Sequence, residues 1–298
     1  MFLILILYNT FMLYVLYNSL SKSGKNQNKI YNIVSLVVKK INDPILNVLD
    51  MIKIKNYKKF LEKINNEDKI VIIGGDGTLT HITNILRLVK NNPEIYAYKA
   101  GTGNDFLRNI SVNKNVIKVA QNLYKINPFI RNLPIIKSNN LERSFLNGVG
   151  FGVDALIAKT TNEKKDNNEK ASFFKVAIDS LKKYKKLQNI KITVDGKEYI
   201  YNNVYLVSIM NGPYYGKGMK IAPKANLLSD KLCVIVIHSM KLAKLLAAFA
   251  LVYSGLHTKI KNVEQLFGRE IKIENIPSNF SQIDGEIFET GKAIEFKK

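Results

Sequence analysis

The run Lys69-Ile-Val-Ile-Ile-Gly-Gly-Asp-Gly-Thr78 constrains this chain more than any other stretch. Ile70 to Ile73 form a short apolar, β-branched run, the pattern of a buried strand. After the glycines, Ile82, Ile85, Leu86 and Val89 recur at i, i+3, i+4 and i+7, one face of a helix. Strand, glycine turn and helix N-terminus together aim backbone N–H groups and a helix dipole at an anion. Asp76 repels phosphate there unless a divalent cation or a substrate hydroxyl lies between them. An Asp-Gly hairpin turn is the ordinary alternative, but helical rather than strand spacing follows.

The surrounding pattern alternates. Strand-like runs at 13–17, 46–52, 70–73 and 95–98 are separated by helical stretches near 29–40, 57–64 and 80–89. That order predicts a parallel sheet covered by helices, with ligands at the strand C-terminal ends. A further helix near 116–124 is expected to close the region. From Phe129 the texture changes to turn-linked strands at 129–136, 145–149, 190–194, 199–209, 232–238, 260–263 and 271–273. Helices interrupt them near 173–186 and 241–252, and the polar stretch 159–170 reads as an exposed loop or frayed helix end. The expected fold class is α/β. An N-terminal α/β nucleotide-binding domain with a parallel sheet spans 12–128, and 289–298 can join it. A β-rich, sandwich-like domain spans 129–288, with the nucleotide cleft between the two. Residues 1–11 are an extension.

Two further loops belong with the first. Ala100-Gly-Thr-Gly-Asn-Asp-Phe106 follows the strand ending near Tyr98 and brings a second carboxylate, Asp105; alone, an Asn-Asp helix cap explains it. Asn18-Ser-Leu-Ser-Lys-Ser-Gly-Lys25 follows the first strand, and its hydroxyls, glycine and lysine suit phosphate contact as well as a plain connecting loop.

Taken together, these residues resemble the diacylglycerol kinase catalytic-domain family, which includes bacterial lipid kinases and the sphingosine and ceramide kinases. Gly74-Gly-Asp-Gly-Thr78 and Gly101-Thr-Gly-Asn-Asp105 match its two hallmark loops. Asn147-Gly-Val-Gly-Phe-Gly-Val-Asp-Ala155 is similar to its glycine-rich strand. Tyr214-Tyr-Gly-Lys-Gly-Met-Lys-Ile-Ala-Pro223 resembles its glycine-rich hairpin, and Asp284-Gly-Glu286 its C-terminal motif. The five elements occur in the family's order between Tyr14 and Glu286.

The resemblance implies an ATP- and Mg²⁺-dependent lipid kinase, with diacylglycerol as the acceptor. Asn18, Ser19, Leu20, Ser21 and Lys22 would bind ATP phosphates with Gly74, Gly75, Asp76, Gly77, Thr78, Leu79, Thr80 and His81, and Thr102 would lie nearby. Asp76 and Asp105 would organise the catalytic Mg²⁺ and position the acceptor, and Glu286 would be the general base. NAD kinase shares Gly-Gly-Asp-Gly and is the competing enzyme. A non-catalytic basic module that binds anionic lipid or nucleic acid is the competing class. The chain departs from the family at Ser19 and Lys22, where proline and glycine are usual, and at Thr80 and His81, where Asn-Glu is common. The family's structural Mg²⁺ loop corresponds to Leu227–Leu232. An ungapped match uses Ser229 with the Asn226 and Lys231 carbonyls; a one-residue shift uses Asp230 with Leu227 and Leu232. A hard cation needs an anionic oxygen, which favours Asp230.

Composition sets the setting. Hydrophobic residues make up 46% and charged residues 23%, a globular balance. Cys233 is the only cysteine, which excludes a disulfide framework or a cysteine zinc cluster. The net charge of +21 reads either as a solvated basic surface or as a field for nucleotides and anionic lipid. No helix-turn-helix, zinc-finger or aromatic RNA-binding signature favours nucleic acid. The apolar start, residues 1–17, is broken at Asn9 and Thr10. It falls short of the roughly 20 apolar residues of a spanning helix and lacks the marks of a signal peptide. The expected location is therefore cytoplasmic, peripheral at the inner face of the cell membrane, in reversible contact with anionic lipid. A homodimer stays open.

Overall fold

The computed structural model describes residues 11–20, 27–41, 45–100, 104–166, 173–277 and 280–298. These fall into two compact units: residues up to 100 together with 114–127, and residues 104–113 together with 128 onward.

The first unit runs β1 (Met12–Tyr17), α1 (Gln27–Ile41), β2 (Ile45–Asp50), α2 (Tyr57–Glu62), β3 (Lys69–Gly74), α3 (Asp76–Leu86) and β4 (Glu94–Lys99). The chain then passes through α4 (Asp105–Ser111), which belongs to the second unit, and returns as β5 (Ile117–Ala120) and β6 (Leu123–Lys125). The strands lie in the order β2-β1-β3-β4-β6-β5, the first four parallel. Ile30, Ile33, Val37 and Ile41 form one stripe of α1 and pack on Leu13, Val15, Val71 and Ile73. Ile70 to Ile73 are buried on both faces, as expected of a central parallel strand.

The stretch 116–124 corrects the sequence reading: it is not a helix but the β5–β6 hairpin. Ile117 and Val119 are β-branched, and Asn122 takes the left-handed turn conformation with φ 64°. β6 then pairs antiparallel with Tyr96–Tyr98 of β4 and extends the sheet.

The helix α5 (Asn127–Ile130) leads into β7 (Ile135–Ser138), β8 (Leu141–Ser144), β9 (Gly148–Gly152), α6 (Val153–Asp166) and α7 (Phe173–Lys183). There follow β10 (Ile190–Val194), β11 (Lys197–Tyr201), β12 (Val204–Met210), β13 (Leu232–His238), α8 (Leu242–Leu251), β14 (Val263–Gly268), β15 (Glu270–Glu274), β16 (Phe280–Ile283), β17 (Glu286–Glu289) and β18 (Ala293–Lys297). Among the described residues they make two antiparallel six-stranded sheets, β11-β10-β15-β18-β7-β8 and β14-β13-β12-β9-β16-β17. Residues 293–297 pair with β15 and β7, so this segment belongs to the second unit.

Period-two alternation, with both faces covered, explains why β12 and β13 are apolar apart from Ser208 and His238. Val207, Ile209, Val234 and Val236 point into the core shared with the opposite sheet. Leu206, Met210, Cys233, Ile235 and Ile237 point the other way, under Val153, Ile157, Ala177, Leu181, Leu245 and Ala248 of the three helices. Two sheets covered on one side by helices leave β12 no solvent face. The expected run 199–209 is therefore two strands, broken at Asn203 with φ 55°.

Candidate active site

In the first unit the site forms at the carboxyl ends of β1, β3 and β4. Tyr17 is in register with Ile73, and Gly74 with Lys99, so the loops after all three strands open at one sheet edge. The order β2-β1-β3 puts the topological switch between β1 and β3, where open α/β sheets leave a ligand crevice. Gly75 is the N-cap of α3 and has no side chain to cap the first turn; the helix begins with Leu79 N–H donating to Gly75 O at 3.1 Å. Gly75 and Gly77 are exposed, and Asp76 and Thr78 are half-buried. An 11-residue helix with an open glycine at its start offers backbone N–H groups to an anion. Leu79 and Thr80 are buried in the helix base, where they hold it rather than face solvent.

The β1 loop lies beside this turn. Asn18 Nδ2 donates to Thr78 Oγ1 at 3.5 Å, and Leu20 N–H donates to Asn18 Oδ1 at 2.9 Å. Ser19 N–H donates to Asp50 Oδ1 at 3.3 Å, so Asp50, at the end of β2, shapes the loop. Sequence reading passed over Asp50; its place at a strand's carboxyl end was the available signal. Lys29 of α1 donates to Ala100 O at 3.1 Å. Ser21, Lys22 and Thr102 lie outside the described residues. His81 is exposed and meets Tyr57 edge to face with centroids 4.7 Å apart, a packing contact on the surface of α3.

The second unit builds its own constellation. Asn104 caps α4 by accepting Leu107 N–H at 2.8 Å, and Asp105 is buried in the first turn. Asp105 Oδ2 accepts Lys217 N–H at 2.8 Å, and its Oδ1 lies 3.6 Å from Arg108 Nε. Lys217 stands in a tight hairpin between Gly216 and Gly218, all three at positive φ. Gly218 is needed for space as well, since a Cβ there would lie 2.6 Å from the Arg108 guanidinium. Asn109 ties the hairpin to the start of β9: its Nδ2 donates to Asn147 Oδ1 at 2.9 Å and its Oδ1 accepts Tyr214 N–H at 2.8 Å.

Glu286 follows an Asp-Gly turn, the two turn residues having φ 50° and 89°, which suits a tight hairpin between β16 and β17. The Asp284 carboxylate accepts the N–H groups of Leu146 at 2.7 Å, Asn147 at 2.8 Å and Gly148 at 3.2 Å. Glu286 itself is exposed, with Arg143 Nη1 3.8 Å from its Oε2.

For a cation carried in with phosphates, the donors fit: a single carboxylate, Asp76, beside an open helix N-terminus leaves most of a hard ion's coordination to phosphate oxygen and water. The loop 226–232 does not fit a structural divalent ion. Asp230 is exposed and ion-paired with Arg269, which holds its carboxyl below the usual range. Leu227 O accepts the Lys298 ammonium at 3.0 Å, and Leu232 is buried at the start of β13. Ser229 Oγ accepts Lys231 N–H at 3.0 Å. Among the described residues no group of three or more His, Cys, Asp or Glu side chains stands together as a metal centre.

Residues 12–130 match the model of the diacylglycerol kinase catalytic domain, and residues 147–293 match that of the YegS C-terminal NAD kinase beta sandwich-like domain. The chain is 26% identical over 234 residues to the Bacillus subtilis (strain 168) protein named "Putative lipid kinase YtlR", covering 74% of this chain and 75% of that one. It is 23% identical over 222 residues to a Bacillus subtilis (strain 168) diacylglycerol kinase, covering 74% and 71%. A crystal structure of a diacylglycerol kinase from Bacillus anthracis str. Sterne shares the fold, with a TM-score of 0.65 at 22% identity over 96% of this chain and 94% of that one. Two glycine loops, a β-rich second unit with an Asp-Gly-Glu turn, and both domain models in this order lead to one assignment: the chain belongs to the diacylglycerol kinase catalytic-domain family and is a lipid kinase.

Proposed function

We propose that the chain is an ATP- and Mg²⁺-dependent diacylglycerol kinase that makes phosphatidate. The observation that carries this reading is the start of α3, with exposed Gly75 and half-buried Asp76 beside the Asn18 loop, a phosphate site with one carboxylate in it. Backbone N–H groups of Gly75 to Thr78 bind phosphate oxygens, with Asn18 and Ser19 alongside. Asp76 would help to hold the Mg²⁺, whose charge would offset that of the transferring phosphoryl group. Glu286 accepts the proton of the lipid hydroxyl as its oxygen forms a bond to the γ-phosphorus and the bond to ADP breaks.

The acceptor lies in a bilayer, so the protein works at the inner membrane surface. No helix among the described residues is long and apolar enough to cross a membrane. The outer side of α8 and the turn after it supports docking instead. Leu242, Leu251, Tyr253 and Leu256 are exposed there, next to exposed Lys241, Lys244, Lys259 and Lys261. The sequence holds no Asp or Glu from Lys231 to Val263. An apolar outer helix face ringed by lysines complements an anionic lipid surface, with about 1 kcal/mol per basic residue near it.

Labelled ATP offered with a panel of lipid alcohols in mixed micelles tests the reading. Labelled phosphatidate from diacylglycerol, formed only with Mg²⁺, is the expected product. Transfer to NAD and to none of the lipids would replace this reading with a small-molecule kinase.

A further inference from the structure

The loop after Ala225 carries its own positive charge. Lys298 follows β18, and its backbone N–H donates to Arg269 O at 3.0 Å, which fixes where the side chain starts. The ammonium reaches inward, donates to Leu227 O at 3.0 Å and also bonds Asn211 Oδ1. The oxygens a divalent ion would use are engaged by protein donors. Asn226 O accepts Ser229 N–H at 2.9 Å, and Asn226 Oδ1 accepts from Leu228 N–H at 3.0 Å and Asn113 Nδ2 at 2.9 Å. The Asp230 carboxylate is turned to Arg269.

Asn211 links this charge to the site. Its Nδ2 donates to Leu146 O at 2.8 Å and its N–H to Asn147 O at 2.9 Å. Leu146 and Asn147 are the residues whose N–H groups hold Asp284, in the turn that leads to Glu286. Asn211 and the backbone of Leu146 and Asn147 therefore join Lys298 to the turn that, on the function proposed above, presents the base.

We propose that the Lys298 ammonium is the built-in cation of the 226–231 loop, taking the place of a divalent ion and acting as a positioning residue for the Asp284–Glu286 turn. An ammonium offers three donors on a flexible stem and needs no carboxylate ligand, whereas Mg²⁺ demands near-octahedral oxygen. A divalent ion brought against an ammonium already bound to Leu227 O is repelled by it.

Melting without nucleotide tests the proposal apart from any kinase assay. Wild type and Asp230→Asn should show the same response when chelator is replaced by millimolar Mg²⁺. Lys298→Met should melt several degrees lower in both buffers. Below its melting temperature, Lys298→Met should lose about tenfold in kcat with the KM for ATP unchanged, and Lys298→Arg should recover part of that loss. A Mg²⁺-induced rise in wild-type melting that Asp230→Asn abolishes would show a divalent ion in the loop and overturn the proposal. So would a Lys298→Met protein with wild-type melting and kcat.

Discussion

Asp284 Oδ1 accepts the backbone N–H of Asn147 at 2.8 Å, a bond that spans 137 residues of sequence and fixes the turn carrying Glu286 to the start of β9. Because Leu146 and Gly148 donate to the same carboxylate, this one side chain sets where the proposed base, Glu286, stands. Asp284→Ala should cost about 2–3 kcal/mol, since hydrogen bonds to a charged group are worth roughly 1.5–3 kcal/mol each and do not add fully. Asp284→Asn retains one acceptor oxygen and should recover part of the stability and turnover. Urea unfolding and lipid phosphorylation measured on both variants check this; wild-type stability in Asp284→Ala would remove the role given to the carboxylate.

Asp76→Asn and Glu286→Gln should each lower turnover by about 10²–10⁴-fold, the range of a general base, without shifting the melting temperature. Neither side chain is buried, so the fold does not depend on its charge. Near-normal turnover in purified Glu286→Gln would show that the base lies elsewhere.

The two adjacent glycines should behave differently. A Cβ at Gly74 would sit 2.6 Å from Thr78 Cβ, whereas none of the described atoms lies within 4 Å of one at Gly75. Gly75 has φ −91°, which alanine adopts without strain. Gly74→Ala should therefore lower stability by about 1–3 kcal/mol through crowding. Gly75→Ala should melt normally but raise the KM for ATP, because its methyl group would crowd the proposed phosphate site. Unchanged ATP kinetics in Gly75→Ala would place the phosphates away from this turn.

Asp154 gives a pH signature. It is buried on α6, accepts Gln282 Nε2 at 2.9 Å and meets the Tyr215 hydroxyl. Burial raises its pKa from 3.8 to about 6, while the hydrogen bonds from Gln282 and Tyr215 act in the opposite direction. A raised folded-state pKa means that the native state holds the extra proton between these values. The associated stability is present in full below about pH 4 and is lost as pH rises through 6, on the order of 3 kcal/mol in total. Asp154→Asn removes this dependence, so the wild-type and variant unfolding curves should diverge between pH 4 and 7. Parallel curves would mean that Asp154 titrates normally.

Local patterns carried much of the result. The β-branched run before Gly74, the helical spacing after it and the order of the glycine-rich elements depend on neighbours within a turn or a strand. Such short-range preferences survive without knowledge of the rest of the chain. The same reasoning failed at 116–124, where helical and strand residues compete and the free edge of β4 decided for the hairpin. It also ran 199–209 together, because an apolar run does not reveal where a turn at Asn203 reverses it.

What the sequence determined by itself was the set of chemical groups: two glycine loops, carboxylates at Asp76, Asp105 and Glu286, and a strongly basic chain. Only the tertiary structure decided their partners. Asp105 is held by Lys217, 112 residues away, and Asp284 by the start of β9. The loop expected to bind metal holds Lys298, 71 residues from Leu227. The reason is physical: a hydrogen bond is made over about 3 Å between groups whose separation is set by sheet register and packing, and residue spacing along the chain carries no such information at that range.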